Sequence, residues 1–287
     1  MPELPEVETV RRMLLPVLEG QTIARAEIRR PHVTGGEDPR RFARRLTGRT
    51  IAGIGRRGKY LVFALERAGA PPLRLIAHLR MTGRLVHVPP GARWSLAAAH
   101  THAMLHLAGT GGPAGRLGFY DVRKFGRFAL AVPTELAAHL PTGRDPLEDG
   151  LEAVDLRALL AGRSSPLKAL LLRQDLVAGL GNIYADEALH RAGLHPARTP
   201  PSLATGDWER LAAAIGAVLA EALAFSGTTL YDYRRPDGEP GAFGCFLRVY
   251  GRGGLPCPAC GAAVATLRLG GRTTAFCPRC QPAPDPL

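Results

Sequence analysis

Lysine is almost missing from this chain. Of 37 basic side chains, only Lys59, Lys124 and Lys168 are lysines, and arginine supplies the rest. Where lysine survives such a drift, a compact ammonium is needed in place of a planar fork. Acidic residues are few as well, so the 287 residues carry a formal charge of +12 and a pI near 10.2. That balance favours polyanions, with nucleic acid first among them, although a solvated basic surface is the plainer reading of charge alone.

Long apolar runs are also missing. No stretch approaches the ~18 consecutive apolar residues of a membrane span. The opening MPELPEVE has neither the basic nor the apolar region of an export signal. A cytoplasmic protein is therefore expected. Cysteine is scarce, with five in all, and four of them fall near the C-terminus as two CxxC pairs. In a chain without an export signal, such pairs read as metal ligands and not as disulfides. No internal repeat is present. With 46% hydrophobic residues the chain can bury a core, and its length suits one large domain or two modest ones.

The pattern along the chain changes twice. Val7, Val10, Leu14 and Val17 recur at helical steps, and Pro5 suits a first helical turn. From about Gly20 to Val132, short β-prone runs alternate with turn residues: TIARAEI, RTIAGI, KYLVFAL, LRLIAHL, HAMLHL and RFALAV. This predicts an antiparallel β-sandwich or barrel. The stretch Ala98–Gly115 reads as irregular and glycine-rich. PTGRDPLEDG, within residues 134–150, reads as a linker. Helical spacing then covers Leu151–Leu160, Pro166–Gln174, Ile183–Ala192 and Asp207–Phe225, with Gly227 as the cap of the last helix.

Cys257, Cys260, Cys277 and Cys280 form C-x2-C-x16-C-x2-C. Two such knuckles close a four-thiolate tetrahedron with no open position, which predicts one structural zinc. Cys245 has no partner and reads as packing or incidental. Between Cys245 and Gln281 lie five arginines and no acidic residue, so the module offers a surface for phosphate. At the other terminus, Pro2 becomes a free secondary amine if Met1 is removed. An α-amino group titrates near ~7.7–8.0, and a helix N-terminus beside it disfavours the ammonium. Such an amine can attack a sugar C1′ and form an iminium, with Glu3 or Glu6 to move protons. Acidic residues at a helix start also simply stabilise the helix.

MPELPEVETVRR resembles the start of bacterial formamidopyrimidine-DNA glycosylases. The resemblance continues in order through Gly55–Tyr60 (GRRGKY), His78–Gly83 (HLRMTG), Asp121–Gly126 (DVRKFG), GLGNIYADE, SGTTLYDY, VYGRGGLPC and the cysteine hairpin. It implies an α+β chain of two domains: an N-terminal helix with an antiparallel β-sandwich, then a helix–two-turn–helix domain with a four-cysteine zinc finger. The expected boundaries are 1–133 for the catalytic domain, 134–150 for a hinge, 151–240 for the helical domain with a lesion-capping loop, and 241–287 for the finger.

The resemblance also implies an activity: excision of oxidised purines from duplex DNA, followed by β,δ-elimination at the abasic site, by a monomer whose only cofactor is zinc. Pro2 matches the nucleophile, Glu3 the general acid/base and Lys59 a phosphate contact at the lesion. Asn182 and Arg272 match phosphate contacts, and His100 and Lys124 are grouped with the DNA-binding residues. Glu6 matches a pocket residue beside the damaged base. Met81, Arg123 and Phe125 match a wedge that fills the gap left by a flipped nucleotide. Taken singly, Met81 and Phe125 fit a core equally well, and Arg123 a surface. Tyr231 departs from the pattern, standing on the capping loop where several relatives carry lysine or arginine. Two rivals remain at this point. One is an endonuclease VIII-like enzyme for oxidised pyrimidines, against which PELPEVE rather than PEGPE argues. The other is a DNA-binding protein that has lost catalysis, against which Pro2, Glu3 and Lys59 argue.

Overall fold

A computed structural model describes residues 1–283. Two compact units emerge. The first comprises Met1–Leu140 with Phe225–Ala242, and the second comprises Pro141–Ala224 with Phe243 onwards. The expectation counted the loop after residue 225 with the helices. By its contacts it belongs to the first unit, where Glu6 accepts the Thr228 amide at 2.6 Å.

The first unit opens with helix α1 (Leu4–Leu18). Its inward face is Val7, Val10, Leu14 and Leu18, each essentially without solvent exposure. Burying such side chains stabilises by about 2 kcal/mol each. Val17, expected on that face, is exposed, and Leu18 takes the inward position. Strand β1 (Thr22–Ile28) follows, then helix α2 (Pro39–Leu46), which buries only Phe42 and Leu46. The remaining strands are β2 (Thr50–Arg57), β3 (Tyr60–Glu66), β4 (Leu73–His78), β5 (Gly83–Val88), β6 (Thr101–Gly109), β7 (Gly112–Asp121) and β8 (Arg127–Ala131). The Ala98–Gly115 stretch, expected to be irregular, therefore holds one strand and the start of another.

All eight strands join in one antiparallel order, β5-β7-β6-β1-β2-β3-β4-β8. The β1–β2 seam is a single registered pair, Thr22 opposite Thr50. The sheet therefore divides there into two halves whose inner faces meet. Leu85, Leu105 and Leu117 of one half and Phe63, Leu75 and Phe128 of the other line the same small cavity. This is the expected sandwich, closed at one edge by α1.

The second unit contains α3 (Ala153–Leu160), α4 (Leu167–Leu171), α5 (Asn182–Ala192) and α6 (Thr205–Ala224). Leu211, Ile215, Val218, Leu219 and Ala222 form the buried stripe of α6, and Phe225 lies partly exposed beyond it. Past α6, Ser226 already takes a left-handed conformation (φ 60°) and Gly227 continues it (φ 82°), so the stop is shared and not Gly227's alone. A hairpin of β9 (Ala265–Leu269) and β10 (Arg272–Phe276) carries the cysteine module. Among the described residues no helix is long and apolar enough to cross a membrane.

Candidate catalytic, wedge and metal sites

Pro2 is buried one residue ahead of the N-cap of α1, while Met1 before it is exposed. Glu3 is the helix N-cap and Glu6 occupies the third helical position, and the two form a reciprocal capping box. The Glu3 amide donates to Glu6 Oε2 at 2.7 Å. Glu6 Oε1 meanwhile accepts from Thr228. Glu6 thus ties the Phe225–Ala242 segment to the helix that carries Pro2. The Tyr233 hydroxyl adds a longer bond to the Glu6 carbonyl, 3.4 Å. Burial, followed by the Glu6 charge, pushes the Tyr233 phenol far above its ordinary range, so it stays protonated. Tyr231, two residues earlier, is 84% exposed.

Lys59 sits at the turn between β2 and β3 and is buried. One residue on, Tyr60 packs edge-on against His78 with ring centroids 4.4 Å apart. Burial first, then the Arg80 and Lys59 charges, lowers His78 to about 3. Its Nδ1 is thus a bare acceptor, and it takes the Arg80 amide at 2.9 Å. A tie from α1 reaches the turn that carries Lys59. Arg56, in β2, pairs with Glu8 at 3.3 Å and donates to the Gly58 carbonyl at 3.0 Å. Sequence reading passed over this buried pair because each residue alone looks like a solvated charge.

The wedge candidates occupy two neighbouring turns. Met81 lies between β4 and β5, and Arg123, Lys124 and Phe125 lie between β7 and β8. Met81 is 38% exposed and Phe125 46%, so neither is a core residue. Two non-glycine residues with positive φ bracket them, Arg80 at 55° and Lys124 at 60°. Such conformations persist only where the surroundings over-determine them. Here Asp121 does so. Fully buried, its carboxylate accepts from the Thr82 hydroxyl, the Arg123 amide (3.2 Å) and the Gly126 amide (2.7 Å). The Arg123 amide also reaches the Thr82 hydroxyl at 3.1 Å, which stitches the two turns together. The Met81 turn is closed by Gly83 N–H to Leu79 C=O at 3.0 Å, and a Cβ on Gly83 would stand 2.4 Å from that oxygen. The Arg123 guanidinium lies 4.9 Å from the Phe125 ring centroid. His100 ends a short 3-10 turn before β6, edge-on to Tyr120 at 5.8 Å.

In the second unit, Asn182 is the first residue of α5. Its Nδ2 donates to the Thr273 carbonyl at 3.0 Å, next to exposed Arg272 at the start of β10. The fold thus sets an arginine beside a helix N-terminus, where the dipole favours phosphate. Asp186 and Glu187 further along α5 brace the cysteine module. Asp186 pairs with buried Lys168 at 2.5 Å and accepts the Ala275 amide. Glu187 accepts the amides of Arg248, Val249 and Tyr250 at 2.9–3.0 Å.

The ligand atoms of Cys257, Cys260, Cys277 and Cys280 all lie within 4.8 Å of one another. Burial, then the neighbouring sulfurs, pushes the Cys280 thiol up to about 12. Four sulfurs this close can all be thiolates only around a cation, and the soft tetrahedral donor set fits zinc with no position left for chemistry. Cys245 is exposed, so it does not pack in a core.

Residues 1–128 match the family model described as the formamidopyrimidine-DNA glycosylase N-terminal domain. Residues 142–233 match that family's H2TH domain, and 254–283 match a zinc finger found in FPG and IleRS. A relative from Desulfitobacterium hafniense, named formamidopyrimidine-DNA glycosylase, is 46% identical over 285 residues, covering 98% of this chain and 100% of its own length. A glycine-to-proline mutant of Lactococcus lactis FPG, solved with a Fapy-dG containing DNA, superposes with a TM-score of 0.86 at 35% identity, covering 98% of this chain and 100% of that one. The wild-type Lactococcus lactis protein, solved with an oxidised pyrimidine containing DNA, gives 0.85 at the same identity and coverage.

Proposed function

The chain belongs to the formamidopyrimidine-DNA glycosylase family, and from that premise we propose that Pro2, freed of Met1, is its nucleophile. The protein is a DNA glycosylase with AP lyase activity that acts on damaged duplex DNA, and it holds one structural zinc. The observation that carries the residue assignment is the head of α1. Pro2 stands at the positive end of a helix dipole, which disfavours the ammonium and leaves a lone pair on nitrogen.

In the first step the Pro2 nitrogen bonds to C1′ of the flipped nucleotide. The N-glycosidic bond breaks, and the base leaves with the bonding pair and takes up a proton. Loss of the amine proton and opening of the sugar give an iminium. Glu3, adjacent to Pro2, moves these protons; the iminium acidifies C2′, whose deprotonation expels the 3′ phosphate, and the conjugated iminium so formed acidifies C4′, whose deprotonation expels the 5′ phosphate. Lys59 holds the lesion phosphate. Asn182 and Arg272 grip further phosphates, with Lys124 and His100 beside them. Met81 and Phe125 fill the vacated stack and Arg123 reads the orphaned base. Glu6, on α1, lines the pocket beside the extruded base, and Tyr231 stands on the capping segment over it. The reading places the protein in the bacterial cytoplasm, on the chromosome, acting as a monomer.

Borohydride reduction in the presence of duplex DNA bearing 8-oxoguanine tests the assignment. A covalent adduct is expected with the wild type and none with Pro2→Gly. Absence of an adduct with the wild type, its N-terminal peptide lacking Met1, overturns the nucleophile. The relative solved with an oxidised pyrimidine favours a wider substrate range than purines. Thymine glycol in a paired duplex tests that second reading, with slower excision than of 8-oxoguanine expected.

A further inference from the structure

One buried histidine has no part in the chemistry above. His190 lies near the C-terminal end of α5 and is 5% exposed. Its Nε2 stands 3.4 Å from the sulfur of Cys257, itself 2% exposed. Its Nδ1 has no hydrogen-bond partner among the described residues. A histidine that merely filled space would not turn its one partnered nitrogen onto a metal-binding sulfur.

We propose that His190 is a positioning residue of the zinc centre, its Nε2–H donating to the Cys257 thiolate. A metal-bound thiolate offers only lone pairs, so the proton must sit on Nε2 and the Nδ1 lone pair is left bare. Four thiolates around a dication carry a net charge of −2. An N–H···S bond draws off part of that charge, makes the sulfur a poorer base and slows its loss from the metal. The same module shows the equivalent bond from the backbone: the Cys280 amide donates to Cys277 Sγ at 3.4 Å. Cys257 receives it from a side chain on another element instead. That element also carries Asn182 at its opposite end, about 12 Å away at 1.5 Å rise per residue. The bond therefore fastens the zinc cluster to the helix that presents a phosphate contact.

The inference rests on the zinc reading, and the test separates the two. Metal analysis of the purified full chain comes first: fewer than one zinc per molecule overturns the zinc reading and this inference with it. In wild-type protein loaded with cadmium-113, the His190 Nε2 proton is expected to show scalar coupling to the metal across the hydrogen bond. A nitrogen spectrum showing the proton on Nδ1, or no coupling in a fully loaded protein, overturns the inference and leaves the zinc reading intact. His190→Phe removes the donor at similar volume. Zinc transfer to a chelator is expected to quicken roughly tenfold, the lower end for loss of an outer-sphere partner. The thiolate-to-metal charge-transfer band of the cobalt form should shift as well. His190→Gln, whose amide offers an N–H, should restore part of both. Release at the wild-type rate with an unmoved band refutes the bond. The cadmium experiment needs no variant, so misfolding of His190→Phe leaves the question decidable.

Discussion

Asp121→Asn is a one-atom test of how the wedge is held. The carboxylate is fully buried and takes three donors, from Thr82, Arg123 and Gly126. An asparagine can keep the oxygen that faces Thr82 and Arg123, but it must point an NH2 at the Gly126 amide 2.7 Å away. One charge-assisted bond is lost, at about 1.5–3 kcal/mol, and a buried N–H is left unpaired. Lys124 is then released from its left-handed conformation, which recovers part of that penalty as relaxed strain. A net loss of about 2–3 kcal/mol is expected. The chain has two tryptophans, Trp94 in the first unit and Trp208 in the second. In a Trp208→Phe background, urea unfolding followed by Trp94 fluorescence reads the first unit alone. Function should fall selectively. Excision from a fully paired duplex needs the wedge, whereas strand cleavage at an abasic site in single-stranded DNA does not. A destabilisation below about 1 kcal/mol, or equal losses on the two substrates, would refute the account of Asp121 as the anchor of the wedge.

Three further outcomes are expected. Gly83→Ala forces a Cβ to 2.4 Å from the Leu79 carbonyl; it should open the Met81 turn and weaken binding to duplex carrying an abasic analogue, read by fluorescence anisotropy, with little change for single strands. His78 is held neutral at about 3 against 6.5 in an unfolded chain. Its share of stability is therefore full above pH 6.5 and is lost as pH falls towards 3, with a slope of at most about 1.4 kcal/mol per pH unit. Urea midpoints of wild type and His78→Gln across that window check this, the variant having the flatter profile. Removing zinc with a chelator leaves the small cluster of Val249, Val264 and Ala275 to hold the finger. Limited proteolysis should then cut within residues 250–283 while α6 stays protected, and DNA binding should disappear.

Patterns set by local chemistry were legible in the sequence. The alternating runs became strands with little change of boundary, and the cysteine spacing became a cluster of four sulfurs. Glycine and arginine diluted the alternation in GRLVHV and GPAGRLGFYD, so β5 and β7 were passed over. Helix α2 buries only Phe42 and Leu46, too few to show a period. Whether Met81 and Phe125 fill a core or face outwards depends on the turns at Arg80 and Lys124, which no hydrophobic pattern encodes. Glu6 was read as a pocket residue. Its two oxygens are engaged by Glu3 and Thr228, and the second of these partners is 222 positions away. The Glu8–Arg56 and His190–Cys257 pairs escaped for the same reason, since long-range pairing leaves no local trace.

The Glu6–Thr228 bond also bears on how the protein comes into being. The first unit is not contiguous: it lacks its last strip until Phe225–Ala242 has been made. Ribosomes add ~5–20 residues per second, so the head of α1 waits roughly 10–45 s for the partner of Glu6 to be synthesised. Contacts of such sequence separation are the slow ones to close. The N-terminal amine is therefore among the first atoms translated, and the environment around it is among the last to be completed. A nascent or truncated chain that ends before the capping segment carries Pro2 on a helix head without that tie.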